Sequence, residues 1–299
     1  MDNSMNNKVH LHKETHFPGE AAIFVCAVLW SSSGLFIKLM DWHPMVIAGS
    51  RSILACMVLL ALRIRSRDTS VTQLSLNNVP SLAACGLCYA ATMITFVIAN
   101  KLTASANVIM LQYTAPVWAA LLGWLFLREK PNWEHWCALV LVSMGMFMVF
   151  SSALESGSIT GNILALLSGI VFGANSVVLR ANKDKSPADI LLFANLICFA
   201  CTIPFFFMYP PSLTIYNIAC ILFMGIIQIG SASALFAYGI KRVLALQAML
   251  ICSIEPVLNP VWVLLVTGER PAFSALIGGG IILCAVLFSS MISALRRRN

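Results

Sequence analysis

The sequence predicts an all-α membrane protein with ten transmembrane helices arranged as two inverted repeats of five helices. Three observations support this: an apolar composition, ten apolar segments of membrane-spanning length, and a pattern that recurs after about 140 residues. Of 299 residues, 59% are hydrophobic and 10% are charged, whereas soluble domains have about 25% charged residues. A soluble fold of this length could not cover so much apolar surface, so the composition indicates a protein embedded in a lipid bilayer.

Ten segments are long enough to cross a hydrocarbon core about 30 Å thick, which needs about 20 residues per helix. Short breaks such as Asp41–Pro44, Glu155–Gly157 and Pro210–Pro211 separate them, because proline and glycine do not easily continue a helix. Residues 1–19 are predicted to be a polar cytoplasmic tail without the apolar core of a signal peptide, and residues 296–299 a basic tail. The predicted spans are residues 20–39, 45–62, 81–99, 104–127, 136–153, 161–180, 188–208, 217–238, 244–267 and 275–295.

The two repeats are predicted over residues 20–153 and 161–295. Their similarity is clearest around the fourth helix of each, where a proline is followed by an apolar stretch and a Glu-x-Pro ending. Because an odd number of spans separates the copies, the second copy is predicted to be inverted in the membrane. The residues that keep one offset of 140 are Pro116/Pro256, Val117/Val257, Leu125/Leu265, Glu129/Glu269, Pro131/Pro271, Phe96/Phe236 and Lys101/Lys241.

The lysines and arginines favour one orientation. With both termini in the cytoplasm, 15 of them fall on inner segments and three on outer ones, as the positive-inside rule requires. The net charge of +7 is explained by these inner residues, so no nucleic-acid partner is expected. The outer residues are Lys38, Lys101 and Arg270, and the inner ones are Lys8, Lys13, Arg63, Arg65, Arg67, Arg128, Lys130, Arg180, Lys183, Lys185, Lys241, Arg242, Arg296, Arg297 and Arg298.

Two ionisable residues, Glu255 and Arg51, lie inside predicted spans, where a charge costs at least about 2.5–3.5 kcal/mol. Glu255 is either a proton-coupling or cation-binding carboxylate or a structural residue at a proline break. Pro256 lacks an N–H and so leaves the carbonyl of Cys252 without its helical partner. Pro116 marks the equivalent break in the first repeat.

For Arg51, a structural role is favoured over substrate binding. Its side chain either snorkels outward or pairs with another helix.

Several polar and aromatic residues within the spans are candidates for binding a small polar substrate. If they converge on one pocket, the polar groups would orient the ligand while the aromatic rings cover its apolar part. The alternative for the small residues among them is close helix packing. The candidates are Trp30, Ser33, Tyr89, Gln112, Tyr113, Asn175, Gln228, Glu255 and Asn259.

Several catalytic and metal-binding signatures are absent from the sequence. It contains neither the Gly-x-x-x-x-Gly-Lys-Ser/Thr phosphate loop nor the His-Glu-x-x-His and Gly-x-Ser-x-Gly motifs. The tail holds His10, His12 and His16 without a second ligand cluster, so no metal site is expected there. We therefore expect no catalytic residue, no metal and no cofactor.

The chain resembles the drug/metabolite transporter superfamily, specifically its EamA-like group. The resemblance rests on the two five-helix halves, on Pro116 followed by Leu127–Pro131, and on Glu255–Pro256 followed by Gly268–Pro271. Arg51 in the second span also resembles the family pattern. The first half departs from it, because Ala115 stands where the second half has Glu255.

The resemblance implies a multi-pass permease of the bacterial inner membrane, often an exporter of amino acids, related metabolites or drugs. It also implies a central cavity that opens alternately to each side. We therefore expect efflux of small organic metabolites, with the substrate and the lipid bilayer as partners. The alternative within this class is a proton-coupled exchanger that uses Glu255, which would make the proton a further partner. A membrane enzyme or a sensor without transport is less favoured.

Overall fold

The computed structural model describes residues 18–65, 79–103, 105–150, 158–183, 186–267 and 273–296, and these ranges are helical and contain no strand. The histidine-bearing tail and the Gly268–Pro271 motif lie outside the described residues. The helices are α1 (Gly19–Trp30), α2 (Ser33–Leu39), α3 (Pro44–Arg65), α4 (Val79–Leu102), α5 (Ser105–Gln112), α6 (Ala115–Leu127), α7 (Trp133–Phe150), α8 (Ile159–Ala181), α9 (Pro187–Met208), α10 (Ile215–Leu222), α11 (Ala232–Ile240), α12 (Ala245–Cys252), α13 (Glu255–Thr267) and α14 (Phe273–Arg296), with a π-helix at Phe223–Ser231 between α10 and α11.

The helices overlap the predicted spans. Two shorter apolar stretches, Ala245–Leu258 across the α12/α13 break and Leu276–Ser289 within α14, lie in the ninth and tenth of these spans. The all-helical membrane fold is thereby confirmed, and the count of ten spans remains a prediction. Seven segments among the described residues are long and apolar enough to cross a membrane: Gly19–Leu39, Pro44–Arg65, Ala83–Leu102, Asn107–Leu127, Ile159–Ala181, Pro187–Met208 and Ile215–Ile240.

Three of the predicted spans consist of two helices that meet at a break. The breaks lie at Ser31–Ser32, Tyr113–Thr114 and Ser253–Ile254. Pro116 and Pro256 each occupy the second position of the helix that follows a break, where a missing N–H costs no helical hydrogen bond. Helices α12 and α13 begin and end 140 residues after α5 and α6, respectively. The same offset relates the two prolines.

The helices pack in pairs around these breaks. Helix α3 packs on α9, α4 on α8, α1 on α11, α6 on α12 and α7 on α14. Close approach of α8 to the α5/α6 break depends on Gly173, because an added Cβ would lie 2.8 Å from the carbonyl oxygen of Ala115. The largest apolar core cluster includes residues from all three broken spans, so the core surrounds the breaks.

Glu129, from the repeated Glu-x-Pro ending, has a structural partner. Its Oε1 accepts a hydrogen bond from Arg180 Nε at 2.9 Å. Nη1 of Arg180 also donates to the carbonyl oxygens of Ile240 and Lys241, at 3.3 and 3.1 Å. This arginine therefore joins the ends of α6, α8 and α11 at one face of the bundle.

Candidate functional site

A cavity of about 40 Å³ lies between the three helix breaks. Ser33 follows the first break, Gln112 precedes the second and Glu255 follows the third, and all three side chains line the cavity. This volume has room for water, whereas ligand pockets usually measure about 300–1,000 Å³, so the cavity is too small for a metabolite in this conformation. The complete lining is Trp30, Ser33, Arg51, Thr92, Met93, Phe96, Gln112, Phe172, Ile229 and Glu255.

The first break is held by side chains from three other elements. Each hydroxyl of Ser31–Ser33 accepts one hydrogen bond from a different helix, so this short segment connects both halves of the chain. Sequence reasoning missed Trp262, and no spacing could have revealed it, because it lies 231 positions from its partner. The three bonds are Trp262 Nε1 to Ser31 Oγ at 2.6 Å, Gln228 Nε2 to Ser32 Oγ at 2.8 Å, and Arg51 Nη2 to Ser33 Oγ at 3.0 Å.

Arg51 is buried, with 3% of the residue exposed. It does not snorkel to the membrane surface, as one sequence-based alternative held, but pairs with Ser33 of α2. Its Nε and Nη1 atoms have no hydrogen-bond partner among the described residues, and neither has Trp30 Nε1. Buried donors without a partner each cost about 1–3 kcal/mol, so an acceptor in the cavity would be stabilised by them.

Aromatic rings cover one side of the cavity. The Trp30 ring lies 5.8 Å from Phe172 in an edge-to-face arrangement and 5.4 Å from Phe236. Offset and edge-to-face pairs of this kind are favourable, and they restrict the orientation of the indole. The orientation of the Trp30 ring, and with it that of its Nε1–H, is therefore restricted by these contacts.

Glu255 and Tyr113 form a short polar contact between the two halves. The Tyr113 hydroxyl oxygen lies 2.5 Å from Glu255 Oε2 and 2.8 Å from the carbonyl oxygen of Cys252. Pro256 has no N–H for this carbonyl, as the sequence predicts, and the tyrosine hydroxyl supplies the missing donor. With Glu255 ionised, the hydroxyl can donate to the carboxylate; with Glu255 protonated, the carboxyl can donate to Tyr113 while Tyr113 donates to Cys252. The same atoms thus accommodate both protonation states.

Two other predicted residues, Tyr89 and Asn175, line an adjoining cavity of about 10 Å³ that shares Trp30 and Phe172 with the first. Tyr89 donates to Oδ1 of Asn195 at 3.0 Å. These two residues therefore lie beside the central cavity and not in its wall.

The remaining predicted residues are placed as follows. Gln112 donates to Ser168 Oγ at 2.9 Å, which fixes its amide at the cavity wall. Gln228 is fully buried, and its Oε1 has no partner among the described residues. The side chain of Asn259 lies outside the described residues. Within the described ranges, no group of three or more His, Cys, Asp or Glu residues is arranged to hold a metal ion.

Both halves of the chain match the EamA-like transporter family, over residues 17–151 and 159–291. The chain belongs to the EamA-like transporter family. The resemblance drawn from the sequence is thereby confirmed, and this EamA-like protein is a membrane transporter.

Relatives of this EamA-like protein carry the same general description. It is 25% identical to an "Uncharacterized transporter" of Archaeoglobus fulgidus over 276 residues, covering 91% of this chain and 96% of that protein. It is 23% identical to the "Uncharacterized transporter YwfM" of Bacillus subtilis over 283 residues, covering 93% and 94%. A crystal structure of a protein with 16% identity superposes with a TM-score of 0.79 over 92% of this chain and 97% of that one, which shows a shared fold.

Replacement of Tyr113 tests the contact between the halves. Tyr113→Phe removes the hydroxyl and leaves the Cys252 carbonyl without a donor, so the free energy of unfolding should fall by about 1–3 kcal/mol. The measurement is the melting temperature of the detergent-solubilised protein. Tyr209→Phe is the control, because Tyr209 is 45% exposed and keeps its ring stacked on His43 at 4.1 Å. Equal melting of Tyr113→Phe and the parent would show that the contact does not stabilise the fold.

Proposed function

We propose that this EamA-like protein is a secondary transporter of the bacterial inner membrane that exports small organic metabolites, namely amino acids, related compounds or drugs. The observation that carries the proposal is one small cavity faced by the buried guanidinium of Arg51 and the buried carboxyl group of Glu255. An ionisable group inside a membrane usually faces a cavity and marks a substrate or ion pathway. The guanidinium donors and the carboxyl oxygens suit a ligand that offers an acceptor at one end and a donor at the other.

Alternating access is supported by the pairing of helices. Under the 140-residue offset, α10, the π-helix and α11 together correspond to α4, with α11 matching its later part, and α8 corresponds to α1 and α2. The contact of α4 with α8 therefore has a counterpart in the contact of α11 with α1. Such pairing supports ten spans in two inverted repeats that move against each other around a fixed central site.

The orientation follows from the basic residues. A second cavity, of about 450 Å³, lies at the end of the bundle that carries Arg63, Lys241 and Arg242, which we assign to the cytoplasm together with both termini. The central cavity, at about 40 Å³, is too small to hold a metabolite in this conformation.

Cysteine labelling tests the orientation. Asp41 is exposed between α2 and α3, and Lys183 is exposed after α8. We expect a membrane-impermeant maleimide to label Asp41→Cys on intact cells and to label Lys183→Cys only after the cells are opened. The parent protein, with its ten cysteines, gives the background. Labelling of Lys183→Cys but not Asp41→Cys on intact cells would reverse the assignment.

Replacement of Arg51 tests the central site. A hydrogen bond to a charged group contributes about 1.5–3 kcal/mol, so Arg51→Gln should lower saturable flux of the best substrate by about tenfold or more. The flux is measured in proteoliposomes, as both uptake and efflux, across a panel of amino acids and amphipathic cations.

Arg65→Gln is the matched control, because Arg65 is the exposed last residue of α3 and lies outside the cavity lining. Equal flux in both variants, with unchanged melting temperatures, would assign Arg51 a structural role only. The absence of saturable flux across the whole panel would count against the transport proposal.

A second candidate, proton-coupled exchange, is favoured by the contact of Glu255 with Tyr113, which suits either protonation state. Glu255→Gln cannot ionise, so uphill accumulation and the pH dependence of transport should be lost while downhill exchange continues. Transport is measured with an imposed pH gradient, and Asp41→Asn, at an exposed site, is the control. Retained uphill accumulation in Glu255→Gln would remove Glu255 as the coupling group.

A further inference from the structure

More basic side chains line the 450 Å³ cavity than line the central cavity. It lies between the end of α3, the start of α9 and the end of α11. Three basic side chains, Arg63, Lys241 and Arg242, line it together with one carboxylate, Asp189. The cavity therefore carries an excess of positive charge.

The hydrogen bonds and ion pairs show where this excess lies. Arg63 Nη1 lies 2.9 Å from Asp189 Oδ1, so these two charges offset each other. Arg242 lies 3.6 Å from the centroid of the Tyr238 ring, and its Nη1 donates to the carbonyl oxygen of Tyr238 at 2.8 Å, so its guanidinium is positioned without being neutralised. Lys241 is exposed. Among the described residues neither Lys241 nor Arg242 forms an ion pair with a carboxylate, so their positive charges face the cavity.

The first turn of α9 adds to this field. This helix of 22 residues begins at Pro187, and its amino-terminal end lines the cavity through Ser186 and Ala188. The amino-terminal end of a helix carries a partial positive charge, which favours a bound anion. The carboxylate of Asp189 lies in this same first turn and offsets part of this field, so the attraction for an anion rests mainly on Lys241 and Arg242.

Part of the cavity wall is apolar. Leu59, Leu62, Ala234 and Ala237 form it, and they precede Arg63 or Lys241 along the chain. Leu62 is 46% exposed and so continues the cavity wall into the apolar outer surface of α3, where Ile64 is 72% exposed. A ligand with a charged head and a hydrocarbon tail matches both parts of this cavity, whereas a small inorganic anion would leave the apolar wall without a partner.

We propose that this cavity binds an anionic phospholipid of the cytoplasmic leaflet, with the headgroup phosphate at Lys241 and Arg242 and an acyl chain along Leu59 and Leu62. Basic pockets between transmembrane helices on the cytoplasmic side are suited to such headgroups. The inference depends on the membrane orientation assigned above, but it does not depend on which solute is transported.

Lipid binding to the purified full-length protein tests the proposal. Native mass spectrometry in detergent compares phosphatidylglycerol, phosphatidylcholine and inorganic phosphate as probes. A basic residue near an anionic headgroup contributes about 1 kcal/mol, so Lys241→Gln should weaken phosphatidylglycerol binding about fivefold. Lys183→Gln, an exposed lysine outside the cavity lining, should leave the binding unchanged.

The expected pattern is tighter binding of phosphatidylglycerol than of phosphatidylcholine, a loss in Lys241→Gln alone, and no displacement by millimolar inorganic phosphate. Equal binding of the two lipids, or equal losses in Lys241→Gln and Lys183→Gln, would overturn the proposal. Displacement of the lipid by inorganic phosphate would instead identify a site for a soluble anion, and would likewise overturn it. None of these readouts requires transport activity.

Discussion

A helix that breaks inside a membrane exposes backbone groups that water does not reach, and satisfying these groups is the constraint on which the centre of this protein depends. The carbonyl of Cys252, before the Glu255 break, accepts from the hydroxyl of Tyr113, and the hydroxyls of Ser31–Ser33 at the first break accept from side chains of three other elements. Because Tyr113, Gln228 and Trp262 come from distant parts of the chain, these bonds bring the breaks together. The polar cavity between them follows from that convergence.

The bonds at the breaks also tie helices of the two halves together around the central cavity. Trp262 and Ser31 link α13 to α1, and Tyr113 links the α5/α6 break to α12. A cavity of about 40 Å³ is too small to hold a metabolite, so the alternating access proposed above requires the helices around it to move apart.

The sequence predicted the class of fold well, because hydropathy, the positive-inside rule and proline breaks are local signals. It also singled out Arg51 and Glu255, which both line the central cavity, since charges are conspicuous in apolar spans. It could not predict which polar residues meet: Tyr89 and Trp30 look alike in sequence, yet only Trp30 lines the central cavity. The guanidinium of Arg51 turns inward because Ser33 of another helix receives it, a contact that no periodicity within α3 encodes.

The contact between Tyr113 and Glu255 is not duplicated by the repeat. At the offset of 140, Tyr113 corresponds to Ser253, and Glu255 corresponds to Ala115, which has no side-chain acceptor. Ser253 donates instead to the carbonyl of Met249 in its own helix, at 3.2 Å. If Glu255 couples transport, the contact accommodates one proton per cycle. Exchange of one proton for a neutral zwitterion would move one net charge, so the membrane voltage, at about 2.3 kcal/mol per 100 mV, would drive the cycle together with the pH gradient.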